Sequence, residues 1–274
     1  LPFVVAELMD EAKVNAARRA YAGPLEVIAS STVISQLLTQ NIRHPGLSKV
    51  FNELLSRSTG NTIFVRECSE ADEWTVGQLK RAFPKAIFLG VVRPTAAGFS
   101  SLLNPPDDFR VQPEDRLALL ARRPEDIAAI EPAPEDVSIE PAGPLPAAQP
   151  SGIHRVLILG WNYHIPALIK EFGTYKNESY HLTLGSLRPL PEREKELQGL
   201  QDRSPRVQWE HAEVDFVKEP ELRKLDPTVF DHIILLSSDR LADEEEADAR
   251  TIVGYVLLEE ILEGADRRPQ ILLE

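Results

Sequence analysis

Hydrophobic and polar positions in the first sixty residues switch between two periods. Phe3–Leu8 (FVVAEL) and Leu25–Ala29 (LEVIA) are apolar runs of strand length, whereas Ala12, Ala16, Ala17 and Ala20 recur at helical spacing within residues 10–21. Ser30, Ser31 and Thr32 offer hydroxyls to the free amides of a helix start, ahead of Val33, Ile34, Leu37 and Leu38. Pro45 and Gly46 bend the chain, and Leu47, Val50, Phe51, Leu54 and Leu55 then mark a second amphipathic helix over 44–57. Residues 61–130 change character. NTIFVREC, AIFLGVVR and DRLALLAR predict strands, EWTVGQLKRAF a short helix and NPPDDF a turn, together a small α+β subdomain. Residues 131–152 hold six prolines and little hydrophobic pattern, which predicts a semi-extended linker.

Beyond Gly152 the strand–helix rhythm returns. RVLILG, YHLTLG, VQWEHAEV, DHIILLSS and QILLE predict strands, with helices near 163–172, 190–200, 219–225 and 243–264. Continuous apolar strands alternating with helices predict a parallel sheet covered on both faces. The expected fold class is therefore α/β, with Rossmann-like parallel sheets and a small α+β lobe between them. The expected divisions are 1–60, 61–130, the linker 131–152, and 153–274. The chain opens without Met inside one strand-like run and closes inside another, so it reads as a piece of a longer polypeptide carrying two differently truncated copies of one composite unit.

At 274 residues and 43% hydrophobic content the chain has room for two packed domains. Thirty basic against forty-three acidic residues give a formal charge of -13, which argues against a nucleic-acid partner. Cys68 is the only cysteine, excluding an internal disulfide and a thiolate metal cluster. No apolar run approaches the roughly 18–20 residues of a membrane helix.

The stretch RVLILGWNYHIPALIKEF begins like a nucleotide-binding unit: an apolar strand, Gly160, then a helical pattern. The later glycines of a dinucleotide loop are missing, since Trp161 and Asn162 follow at once and the next glycine is Gly173. The second strand ends at Ser186 without an acid to hold a ribose. NAD is therefore not expected; Gly160, Trp161 and Asn162 form a degenerate crevice in which Trp161 covers or fills the vacancy and Asn162 caps the helix. Asp239, Asp243, Glu244, Glu245, Glu246 and Asp248 gather at a strand end and helix start. They complement the helix dipole, or else Asp239, Asp243, Glu244, Glu246 and Asp248 supply oxygens to Ca2+, although no EF-hand spacing is present. Asp107 and Asp108 read as a hairpin turn or a second cation site. His154 and His164 flank the first strand of the last domain, either near the crevice mouth or as surface and capping residues. With no G-x-S-x-G, H-E-x-x-H or P-loop, catalysis is not expected. The helices at 31–41, 45–57 and 243–264 have wide apolar surfaces, explained by core packing or by docking.

Taken together, VVAEL, SSTVISQLLTQNIRHPGLSKVFNELLS, FPKAIFLGVV, LLNPPDDFRVQPEDRLALLA, RVLILGW and FDHIILLSSD…ADART resemble the tandem RCK (regulator of potassium conductance) units of the CASTOR/POLLUX family, plant nuclear-envelope channels with bacterial relatives. The pair Gly160-Trp161 carries much of the likeness, standing where ordinary RCK domains keep a glycine motif. The resemblance implies the cytosolic regulatory part of a cation channel. Residues 1–60 would end the first RCK N-lobe and add its hinge helices, 61–130 would be its C-lobe, and 153–274 the second N-lobe. It also implies a transmembrane pore domain outside this chain, a homotetramer through RCK–RCK contacts at the cytoplasmic face of a membrane, and regulation by Ca2+. The competing expectations are a soluble regulatory subunit of TrkA type serving potassium uptake, and a nucleotide-dependent Rossmann enzyme. If Trp161 only fills space, its replacement by Gly leaves assembly intact; loss of folding makes it a packing keystone.

Overall fold

The computed structural model describes residues 1–9, 13–56, 60–67, 74–95, 98–128, 152–239 and 243–274. In chain order the elements are β1 (Val4–Leu8), α1 (Val14–Ala20), β2 (Leu25–Ala29), α2 (Ser30–Arg43), α3 (Leu47–Leu55), β3 (Thr62–Glu67), α4 (Val76–Ala82), β4 (Ile87–Thr95), β5 (Gly98–Leu103) and β6 (Arg116–Ala121). After the linker come β7 (Ile153–Leu159), α5 (Ile165–Thr174), β8 (Ser179–Gly185), α6 (Leu190–Leu197), α7 (Leu200–Arg203), β9 (Val207–Ala212), α8 (Glu219–Lys224), β10 (His232–Leu235), α9 (Glu244–Ile261) and β11 (Gln270–Leu273). The predicted linker falls outside the described residues except for Gly152. The elements divide between two compact units, one around α3 to β6 and one around α2 and β7 to β11; the short β1–β2 ribbon is shared between them.

In the first unit, four strands form an antiparallel sheet in the order β3-β6-β4-β5. Alternation puts Leu117, Leu119 and Val91 on the face that meets Val76, Leu79 and Phe83 from α4 and its end. Thr75 starts α4 with a reciprocal cap: its hydroxyl accepts from Gln78 N at 3.3 Å, and Gln78 Oε1 accepts from Thr75 N at 2.8 Å. β5 is a strand the hydrophobic pattern does not predict. Its residues GFSSLL lie at the sheet edge, mostly exposed, so no buried face imposes alternation on them.

The second unit holds a five-stranded, wholly parallel sheet in the order β11-β10-β7-β8-β9. Its central strand explains its own composition. Val156 and Ile158 enter one core with Leu168, Ile169 and Phe172 of α5, while Leu157 and Leu159 enter the other with Leu222, Leu258 and Leu262. Each such side chain is fully buried, worth roughly 1.5–3 kcal/mol of hydrophobic stabilisation.

Helix α2 belongs to this second unit, although its sequence position suggests the first lobe. Ser31, Ser35, Leu38 and Ile42 form its buried stripe, and the small hydroxyl residues let it approach α5 closely. At its end the Arg43 guanidinium grips Glu178, with Nη2 2.8 Å from Oε1 and Nε 3.1 Å from both carboxylate oxygens, and lies 4.1 Å over the Tyr175 ring. Gln40 Nε2 donates to Tyr175 Oη at 3.0 Å, and Gln270 Nε2 donates to the Asn41 carbonyl at 3.1 Å. Burial would raise the Glu178 pKa, but hydrogen bonds from Arg43 and Tyr180 outweigh it and hold the carboxyl below its usual range.

Candidate functional site

The loops at the carboxyl ends of β7, β8, β9 and β10 surround a cavity of about 380 Å³. Because β7 lies between β8 and β10, whose crossovers run to opposite sides, this is the switch point where ligands bind in open parallel sheets. Gly160 makes the first turn possible. Its φ is +99°, and a Cβ there would stand 2.2 Å from the Leu236 carbonyl oxygen, so a side chain meets both strain and a backbone clash.

Trp161 follows with 3% exposure, packed in the core that α5 and α6 cover. Its Nε1 donates to Glu196 Oε2 at 2.8 Å, the oxygen that also accepts from Arg188 Nη1 at 2.7 Å. The guanidinium carbons of Arg188 and Arg193 lie 5.8 and 5.9 Å from the indole centroid, within cation–π range. The expectation that Trp161 fills the crevice is thus corrected: the indole is locked into one wall, and the cavity remains beside it. The rest of the lining includes Leu187, Pro189, Val214 and Phe216, with the ion pair Arg250–Asp215 at 2.7 Å.

Asn162 works differently from a helix cap within α5. Its Oδ1 accepts from His164 N at 2.9 Å, while its Nδ2 donates to the Ser237 carbonyl at 3.0 Å and to Glu274 Oε2 at 2.7 Å. The other oxygen of Glu274 stands 2.8 Å from His164 Nε2, without hydrogen-bond alignment. His164 is wholly buried, so it is no surface residue; His154 lies at the opposite end of β7, stacked 5.2 Å from the Tyr180 ring and away from the crevice.

Among the described residues no three His, Cys, Asp or Glu side chains are grouped to hold a metal ion. Asp243 is the N-cap of α9, its Oδ1 accepting from Glu245 N at 3.0 Å, and Asp248 Oδ1 accepts from Ser237 Oγ at 3.4 Å; Asp239 and Glu246 are exposed. Glu244 begins the helix. This arrangement satisfies amides and complements the helix dipole. Asp107 pairs with Lys80 at 2.8 Å, and its carbonyl accepts from Gly77 N, so NPPDDF braces the start of α4; Asp108 is exposed.

Two participants escape a sequence reading. Glu274 reaches Asn162 and His164 at the start of α5 because β11 lies beside β10, and Arg193 is buried behind the Trp161 ring, with Nη1 donating to the Leu184 and Ala212 carbonyls at 3.2 Å. Burial holds the Arg193 pKa below its ordinary value. No local motif marks either residue, since strand order places Glu274 and the packing of α6 places Arg193. Among the described residues, no helix is long and apolar enough to cross a membrane.

Comparison with known proteins places this geometry. The family model described as "Castor and Pollux, part of voltage-gated ion channel" matches residues 31–137. The chain is 25% identical over 253 residues to the ion channel CASTOR of Lotus japonicus, covering 91% of this chain and 29% of that protein. It is 23% identical over 245 residues to the ion channel POLLUX of the same species, covering 86% and 26% respectively. The chain therefore spans less than a third of the length of these relatives. Among solved structures, the human SLO3 gating ring shares its fold over 99% of this chain and 62% of that chain, with a TM-score of 0.64 at 12% identity.

Proposed function

We propose, from the premise that this chain is a sequence relative of the CASTOR and POLLUX ion channels and has a gating-ring fold, that it is the cytosolic regulatory region of a cation channel subunit. The observation that carries this reading is sequence similarity to channel proteins over 86–91% of the chain, well beyond one motif. Its partner is a pore domain of the same polypeptide, and its working assembly is a homotetrameric ring. A ligand acts on the pore only through a difference in its affinity for two conformations of the ring.

The second unit supplies a fitting mechanical path. Helix α2 is fixed to that unit by Arg43–Glu178 and by the Gln270 bond to Asn41, and the chain leaves it at Pro45–Gly46 for α3. A rearrangement of the sheet edge at β11 is thereby delivered to the hinge segment. Ca2+ is the regulator that the family resemblance suggests. Since the described acids do not converge, calcium binding would need carboxylates brought together by assembly or by the ligand itself.

The test is to record currents from membranes containing the parent subunit, with and without residues 1–274. We expect a cation current whose open probability depends on the region. A parent that carries no current by itself, but modulates a separate potassium transporter, would replace this reading with the regulatory-subunit one.

A further inference from the structure

We propose that the crevice at the carboxyl edge of the parallel sheet takes an uncharged, planar molecule of nucleoside size that bears no phosphate. The inference rests on the cavity's own chemistry and stands or falls separately from the channel reading. At about 380 Å³ the cavity has the size of a small-molecule site, and its place at the switch point is where such sites form.

Its walls select the ligand. Leu187, Pro189, Val214 and Phe216 present apolar surface suited to a ring system, and the Arg250–Asp215 pair offers a donor and an acceptor to a polar edge. Ser186 lies in the wall with its oxygen already accepting from Arg188 N at 3.1 Å, so its proton is left to donate.

The features that would attract a phosphate are already engaged. In a dinucleotide site the amides at the start of the first helix face the anion. Here Asn162 Oδ1 takes the His164 amide at 2.9 Å, and the Glu274 carboxylate stands against Asn162 Nδ2 and His164 Nε2 at 2.7 and 2.8 Å. An anion placed at that helix start, beside the cavity and not in its lining, would meet that charge. The cations in the wall are committed as well, Arg250 to Asp215 and Arg188 to Glu192 and Glu196. Gly160 is the one glycine of the turn, so the backbone lacks the close approach a diphosphate needs.

The experiment is calorimetric titration of the chain with adenosine, AMP and NAD, which share one planar base and differ in phosphate. We expect adenosine to bind at least tenfold more tightly than AMP or NAD. Leu187→Ala changes an exposed wall residue and should weaken adenosine several-fold without lowering Tm. Three results would each overturn the proposal: AMP or NAD binding as tightly as adenosine, no adenosine heat up to millimolar concentration, or undiminished adenosine binding by Leu187→Ala.

Discussion

At the scale of single residues, the turn after β7 is fixed by backbone geometry and its neighbour by packing. Gly160→Ala should cost at least about 2 kcal/mol, because positive φ is strained for Ala and the new Cβ points at the Leu236 carbonyl. Trp161→Gly should cost at least about 3 kcal/mol, the usual loss for a buried large aromatic, and should not confer NAD binding. Chemical denaturation checks both, and a Trp161→Gly protein of unchanged stability would contradict the packing role. Acid should act in two steps. Burial holds His211 and His232 below the ordinary histidine value, with Arg193 adding to the first and His154 to the second. The unfolded chain then binds more protons as pH falls below about 6.5, so stability is full above that value and declines beneath it. His232→Gln should flatten the decline in a pH series of melts. Glu178 and Asp115, both held low, give up their share only at more acid pH, as their carboxylates protonate. Gly160 and Trp161 were legible in the sequence because the strand before them sets their place. The lock on Trp161 was not, because Glu196 is 35 residues away and meets it only once α6 has packed.

At the scale of elements, what could be read from sequence depended on burial. Strands β7, β8 and β10 declare themselves as apolar runs because both faces of a parallel sheet are covered. Strand β5 stays hidden because an exposed edge accepts Gly and Ser. Helix α2 is plain as a helix, yet its allegiance is not, since Ser31 and Ser35 look like a polar face until α5 is set against them. Its fastening gives a prediction at this scale. Arg43→Ala removes a bidentate, half-buried ion pair and should cost about 1–2 kcal/mol, with faster amide exchange concentrated in residues 31–42. Faster exchange spread evenly over the chain would argue against a local latch.

At the scale of the whole molecule, the sequence carries the change from an antiparallel to a parallel sheet through its alternating periods, and the crevice through one strand and one glycine. Of the acids that composition singles out, Asp243 serves as a helix cap and Asp248 meets Ser237, positions that only the fold assigns. What unites the levels is the second unit as one body, in which Glu274 ties the β11 edge to the start of α5, and Gln270 and Arg43 tie helix α2 to β11 and to the entry of β8. If the region regulates a pore, that body is the lever. The most direct measurement is single-channel recording from the parent subunit carrying Arg43→Ala. The account predicts unchanged unitary conductance with ligand-dependent opening largely lost; opening that responds to ligand as in the unaltered subunit would contradict it.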